Sequence, residues 1–463
     1  MSKVLLISPP WWDVYGKVNI KKVPWGSPPT GLACIASYLE KHGISVRLVD
    51  STFCPEGWKE IKDIIKKENA DFVGITSTTP EIINAQKVAK IVKENNPDAK
   101  VVLGGIHASA LPEDTVSNDN IDIVAIGEGE ETMLEIVEGN KLEEIRGICY
   151  KKNGKILKTP PRPLIEDLDS LPFPRYDKLP VEKYGNMFLG RSMGIMSGRG
   201  CPFHCTYCSD YIVHGRRFRT LSVKNVVDQI ESLKNTYNLS SISFWDDNFT
   251  VNPKRVHEIS EEIIKRKLNI RWFCMSRVDT VSFELLKKMK ESGCIMIGLG
   301  IESGDQKILD GVGKGITIEG VRRTVKWCNE IGISVVGYFL LGLPFDTEKS
   351  MDKTLTLSRE LNLDVAIFSL LIPFPGTEVW EMAKEGKIIK CLAKDWSEFK
   401  RYGDPIIELE HVSREVLKKY QKKAIKGFYF RPGYFWHILK KTKSKEDFIR
   451  NFKMAMSLLG FLK

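Results

Sequence analysis

The stretch SGRGCPFHCTYCSD, Ser197 to Asp210, sets Cys201, Cys205 and Cys208 in a C-x3-C-x2-C pattern on a glycine-flanked loop that follows the apolar run MGIMSG from Met193. The chain has 10 cysteines in 463 residues, too sparse for a disulfide framework, so three of them within eight positions point to metal. Three thiolates can hold three irons of a cubane cluster and leave the fourth iron open to a ligand. The competing reading, a closed zinc site, needs a fourth ligand, and His204 inside the loop is the one at hand.

Downstream of the cysteines, apolar runs alternate with helical patterns. MGIMSG from Met193, SISFWDD from Ser241, RWFCMSR from Arg271, MIGLGIES from Met296, SVVGYFLLG from Ser334 and VAIFSLLIPF from Val365 read as six parallel β/α units, a partial (β/α)6 barrel. Upstream, VLLISPP from Val4, SVRLVD from Ser45, DFVGITS from Asp71, KVVLGG from Lys100 and IDIVAIG from Ile121 alternate with amphipathic stretches such as GLACIASYLEKHG, which stops at Gly43. That pattern predicts an α/β fold opening on a doubly wound parallel sheet. GICYKKNGKILK reads as a hairpin about Asn153-Gly154, and the proline-rich run after it as an extended connector. The expected organisation is a ligand-binding domain over 1–145, hairpin and linker over 146–190, a second α/β domain over 191–403 and a basic helical region over 404–463.

The cysteine spacing, with aromatic Tyr207 before the last cysteine, resembles the radical S-adenosylmethionine (SAM) superfamily. The resemblance implies a 4Fe-4S cluster on Cys201, Cys205 and Cys208 whose open iron chelates SAM, reductively cleaved to a 5'-deoxyadenosyl radical. It also implies SAM contacts at the strand ends, where such folds bind ligands. These are Tyr207; Asp246, Asp247 and Asn248 of FWDDNF; Arg277, whose fork suits a carboxylate; Glu302 and Ser303 of GLGIES near the ribose; and Gly342, with Gly337 and Pro344, near the adenine.

Polar and glycine-rich segments also follow the strands of the first half, where an open parallel sheet binds its ligand, and glycines there let a large cofactor approach. Taken alone they would suit any nucleotide, although the first turn lacks the G-x-G-x-x-G of a dinucleotide site. With the helix at Gly31, the series PP, TSTTP, GGIHAS, GEGE resembles the cobalamin-binding domain that precedes radical SAM modules in cobalamin-dependent methylases and in the anaerobic Mg-protoporphyrin monomethyl ester oxidative cyclase group. The implied cobalamin contacts are Pro9, Trp11, Tyr15, Thr76, Ser77, Thr78, Gly104, Gly105, His107, Gly127 and Glu128. The loop after the first strand reads WWDVYG, without the D-x-H-x-x-G that supplies a histidine below cobalt, so a cobalt without a His lower ligand is expected there. His107 is placed to touch the corrin or its tail, or else to be a satisfied loop histidine.

The combination predicts a methyltransferase that methylates an unactivated carbon using SAM and methylcobalamin. Radical oxidative cyclisation or rearrangement without methyl transfer is the alternative. An RNA methylthiotransferase, which needs a second cluster that Cys34, Cys54 and Cys149 do not suggest, and a non-catalytic cobalamin or redox sensor stand behind these. An electron donor such as flavodoxin or ferredoxin and a small-molecule or lipid substrate are expected as partners. The net charge of +10 is concentrated between His411 and Lys463, with 14 Lys and Arg against 3 Asp and Glu. No nucleic-acid module accompanies that charge. Its aromatic residues either cap the barrel or touch an anionic membrane. Without a signal peptide or a long apolar run, the expected location is cytoplasmic.

Overall fold

The computed structural model describes residues 2–12, 14, 26–186, 189–400 and 403–441. Seven strands form the first sheet: β1 (Val4–Ser8), β2 (Val46–Asp50), β3 (Phe72–Thr76), β4 (Lys100–Gly104), β5 (Ile123–Ala125), β6 (Ile148–Lys152) and β7 (Lys155–Lys158). Their order is β2-β1-β3-β4-β5-β6-β7, and the first five are parallel. These five are short apolar runs buried on both faces, as a sheet covered by helices on each side requires. The 2-1-3-4-5 order puts the point where the winding reverses between β1 and β3, the place where such sheets open a crevice.

The hairpin forms where Asn153 and Gly154 take φ of 51° and 75°, as a two-residue primed turn demands. It pairs antiparallel to β5, so the first sheet runs on past the 145/146 boundary expected from sequence. The proline-rich segment after it, expected to be extended, is broken by 3-10 turns at Leu168–Ser170, Tyr176–Lys178 and Val181–Lys183 and is tied at intervals. Tyr176 Oη donates to Gly194 O (2.9 Å), and Tyr184 Oη donates to Asp50 Oδ2 (2.9 Å).

The second sheet has six strands in chain order, β8 (Met193–Ile195), β9 (Ser241–Phe244), β10 (Arg271–Ser276), β11 (Cys294–Glu302), β12 (Ser334–Leu341) and β13 (Val365–Leu370). Every neighbouring pair is parallel, with a helix in each connection and β8 and β13 as open edges: an incomplete barrel. One buried apolar cluster runs from Leu6 of the first sheet and Leu32 of the helix Thr30–Lys41 through Leu168 and Tyr176 to Ile195 and Leu299 of the second sheet, so the two units share a core. The helix Arg414–Tyr429 lies along β13. Its Gln421 Nε2 donates to Phe368 O (3.0 Å), Tyr429 Oη to Ala366 O (2.8 Å), and Tyr434 just beyond it to Asp364 O (2.9 Å). The aromatic residues of the tail up to Tyr434 are thus largely spent on closing a sheet edge, and the expectation for 442–463 lies outside the described residues.

Candidate functional site

The cysteine loop leaves β8 and is pinned at both ends by groups distant in sequence. At its start Ser197 donates to Asp246 through its amide (2.7 Å to Oδ1) and its hydroxyl (2.6 Å to Oδ2), while Arg255 holds Ser197 O at 2.6 Å. Further on, Thr206 N–H donates to Val312 O (3.1 Å), and Val379 N–H donates to Thr206 O (3.2 Å). Two glycines make the path possible. Gly200 has φ +84° and a Cβ there would lie 2.4 Å from Arg217 O; Gly313 has φ +64° and its Cβ would lie 2.8 Å from His204 O.

Burial pushes the Cys201 and Cys208 thiols up, and a bound metal would oppose that shift, since metal ligation takes the thiolate. Among the described residues no three His, Cys, Asp or Glu side chains converge as a site for one metal ion. A cubane, whose thiolates bond different irons, needs no such convergence. Around this loop Thr206 Oγ1, Tyr207 Oη and Asp247 Oδ2 are buried with no hydrogen-bond partner among the described residues. Native interiors rarely leave polar atoms unpaired, so three of them about one loop fit a polar ligand there.

The residues predicted to contact SAM divide into two groups. Asp247 and Tyr207 turn unpaired polar atoms to the loop, and Glu302, at φ +65° beside a register shift in β11, pairs with Lys314 Nζ at 2.9 Å. The others are held elsewhere. Asp246 faces Ser197 and is enclosed there, held by the Ser197 amide and hydroxyl. Asn248 Oδ1 caps the turn at Thr250. Arg277 grips Asp279 with two donors (2.9 and 2.8 Å), donates to Lys314 O (2.6 Å), stacks on Phe203 and sets Nη1 3.8 Å from Cys205 Sγ. Its fork, expected to take a carboxylate, therefore braces the cluster loop. Ser303 is buried against Thr354 and caps Asp305 N, and Gly337 packs against Leu363. Gly342, at φ +82°, donates its N–H to Asp346 Oδ2, a carboxylate that the sequence reading missed. That reading also missed the GVGKG loop around Lys314, whose flanking glycines are the available signal.

A cavity of about 200 Å³ opens at the carboxyl end of the first sheet. Leu6, Gly74 and Ile75 line it from the β1/β3 crevice, and Met196, Arg199, Val213 and His214 close it from the segment that carries the cysteines. Of the expected cobalamin contacts, Thr76, Gly104, Gly105, Gly127 and Glu128 line this cavity. Pro9, Trp11, Ser77 and Thr78 do not, and Tyr15 lies outside the described residues. Thr78 donates its hydroxyl and amide to Glu81. His107 is turned into the core, its Nδ1 3.1 Å from Thr79 Oγ1 and its ring edge-on to Trp396, and burial pushes its pKa down to about 4. It is a neutral core histidine and does not line the cavity. Residues that reasoning from sequence missed here include Gly74, a lone glycine in a strand, and Cys34, whose thiol burial pushes up to about 12.

Glu128 reaches the cavity wall but is largely consumed by ion pairs. Its Oε1 takes Arg199 Nη1 (2.9 Å) and Arg219 Nη2 (3.0 Å), and its Oε2 takes Arg219 Nη1 and Ile165 N–H (both 2.9 Å). Burial alone would raise this carboxyl, yet hydrogen bonds from His214 and Arg219 and the charge of Arg199 hold it well below the usual range. Glu130 takes the other arm of Arg199 at 2.6 Å.

The Radical SAM superfamily profile matches residues 195–358, and the B12 binding domain profile matches residues 16–137. Over 439 residues the chain is 38% identical to the uncharacterized methyltransferase PH0819 of Pyrococcus horikoshii, covering 93% of each. It is 30% identical to the anaerobic magnesium-protoporphyrin IX monomethyl ester cyclase of Rubrivivax gelatinosus, covering 94% of this chain and 79% of that one. Among solved structures, the radical SAM methyltransferase TsrM from Kitasatospora setae, with cobalamin and a 4Fe-4S cluster bound, superposes with a TM-score of 0.73 at 20% identity, over 94% of this chain and 90% of that one.

Proposed function

This chain belongs to the cobalamin-binding radical SAM enzymes, and from that premise we propose that it is a methyltransferase acting on an unactivated carbon of a small molecule. One observation carries the proposal. The cavity at the end of the first sheet is closed by the segment that bears the cluster cysteines, so a corrin received there and a cluster held by Cys201, Cys205 and Cys208 would face one reaction space. The relative PH0819, a methyltransferase by name, spans the same two units.

When bound, the cluster supplies the electron that cleaves SAM, and the corrin supplies a site from which a methyl group can be delivered. The chain's own residues hold and enclose these groups. Cys201, Cys205 and Cys208 would hold the cluster. Asp247, whose carboxyl burial pushes up to about 8, would offer its unpaired oxygen to the amino group of SAM, with Tyr207 enclosed beside the cysteines. Glu302, steadied by Lys314, would face the ribose, while Gly342, its N–H taken by Asp346, would fix the turn after β12. Arg277, Asp246, Asn248 and Ser303 fix the loops that carry these contacts. Thr76, Gly104, Gly105 and Gly127 form the polar, glycine-lined mouth for the corrin tail, above the apolar slot of Leu6, Gly74 and Ile75.

The electron comes from a small donor protein such as flavodoxin or ferredoxin. Among the described residues no helix is long and apolar enough to cross a membrane. A peripheral contact there would fall to Phe430 and Trp436, 61% and 62% exposed.

The cyclase relative favours a second reading, oxidative cyclisation without methyl delivery. Anaerobic turnover of the reconstituted enzyme with SAM labelled in its methyl group separates the two. Label recovered in the corrinoid fraction supports methyl transfer; 5'-deoxyadenosine formed with no label leaving SAM overturns it.

A further inference from the structure

Gly198-Arg199 pairs antiparallel with Arg219-Thr220, so Arg199 stands directly opposite Arg219. Like charges in that position repel, and burial worsens the repulsion, yet both guanidinium groups are enclosed. The answer comes from the other domain. The loop Gly127–Glu130 after β5 inserts two carboxylates: Glu128 bridges both arginines, and Glu130 takes the remaining arm of Arg199. Two positive and two negative charges balance, and His214 Nδ1 lies 3.4 Å from Glu128 Oε1 beside them. Gly129 keeps the loop tight, since a Cβ there would lie 2.8 Å from Ile35 Cδ1. Gly200 turns the chain at once toward Cys201.

A buried ion network of this kind is a poor source of stability, because desolvation offsets most of the attraction; its best-attested use is to fix register between elements. Here the two elements are the loop that lines the cavity and the loop that carries the cluster cysteines. Arg199 touches both and itself lines the cavity, two residues before Cys201. The bidentate geometry of its fork constrains direction as well as distance, which a lysine could not do.

We infer that Arg199 is a positioning residue that sets the separation between cluster and corrin by fastening the cysteine loop, through Glu128 and Glu130, to the loop that receives the corrin. The inference rests on the functional reading above. It accounts for why a polar GEGE loop at a ligand-binding edge spends its acids on arginines from another domain.

The test is dipolar electron paramagnetic resonance on the full chain loaded with cluster and cobalamin, poised so that the reduced cluster and cob(II)alamin are both paramagnetic. The native protein, Arg199→Met, Arg199→Lys and Glu130→Gln are compared at equal iron and corrinoid content. The expected result is a narrow spin-spin distance distribution in the native protein that shifts or broadens in Arg199→Met. Glu130→Gln, which leaves Glu128 bridging both arginines, gives a smaller change and keeps the test open should Arg199→Met fail to fold. Arg199→Lys restores only part of the native distribution. Transfer of methyl label from SAM to the corrinoid falls by about 100-fold in Arg199→Met, the scale of an ångström of misplacement. A distribution unchanged from native in Arg199→Met and Glu130→Gln, with only the melting temperature lowered, overturns the inference and leaves the network structural. A native protein that loads its cluster but takes no corrinoid overturns the functional reading, and this inference with it.

Discussion

Lys314 Nζ lies 2.9 Å from Glu302 Oε1, and the room for that pair exists because residue 300 is glycine: a Cβ there would come within 2.7 Å of both atoms. Gly300→Ala must displace one of them. Both are the far ends of flexible side chains, so the shift costs little in stability and the change falls on the geometry of the pair. If Glu302 faces SAM, the loss of one charge-assisted hydrogen bond, about 1.5 kcal/mol, appears as a roughly 10-fold weaker SAM dissociation constant, measured by calorimetry on cluster-loaded protein. Unchanged affinity would move the SAM site away from Glu302.

Gly200 tests the loop itself. Its φ of +84° and the 2.4 Å approach to Arg217 O leave no place for a methyl group. Gly200→Ala is expected to keep far-ultraviolet circular dichroism near native while iron uptake on reconstitution falls severalfold. Native iron content in that variant would show that the cysteines do not depend on this turn.

Glu128 governs acid stability. Its carboxyl is held well below the ordinary range, so its contribution is fully present above the unfolded carboxylate value near pH 4.3 and is lost as pH falls through the lower folded value. Glu128→Gln leaves Arg199 and Arg219 with one carboxylate instead of two. It should destabilise the protein by about 3–5 kcal/mol at neutral pH and flatten the acid limb, as followed by denaturant unfolding. An acid limb parallel to the native one would contradict the arrangement.

His107 works in the opposite chemical sense but the same pH direction. Burial lowers it from 6.5 to about 4, so stability is full above pH 6.5 and declines as pH falls toward 4, by about 3 kcal/mol in all. His107→Gln removes that dependence and, since the side chain does not line the cavity, leaves corrinoid content unchanged. Loss of corrinoid with the fold intact would return His107 to the corrin.

Both sheets were legible because their strands are short apolar runs with glycines and prolines near their ends, and the cluster motif was legible because its cysteines lie within one loop. Residues whose partners are remote were not. Asp246 and Asp247 read alike in FWDDNF, and only the turn after β9, with Ser197 49 residues away, decides that Asp246 is pinned while Asp247 is left unpaired. Glu128 sits in a loop that reads as ligand-binding, but it is claimed by Arg199 and Arg219, 71 and 91 residues away. His107 follows two glycines at a strand end, as a ligand contact would, and is drawn inward by Trp396, a residue with no local signal.

The central claim is that one chain holds both cofactors. Anaerobic purification and reconstitution, followed by iron, sulfide and corrinoid quantification, tests it most directly. The expected result is about four irons and four sulfides per chain, lost together in a Cys201→Ala, Cys205→Ala, Cys208→Ala variant, with about one corrinoid per chain retained in both. A chain that takes up its cluster but binds no corrinoid would contradict the account.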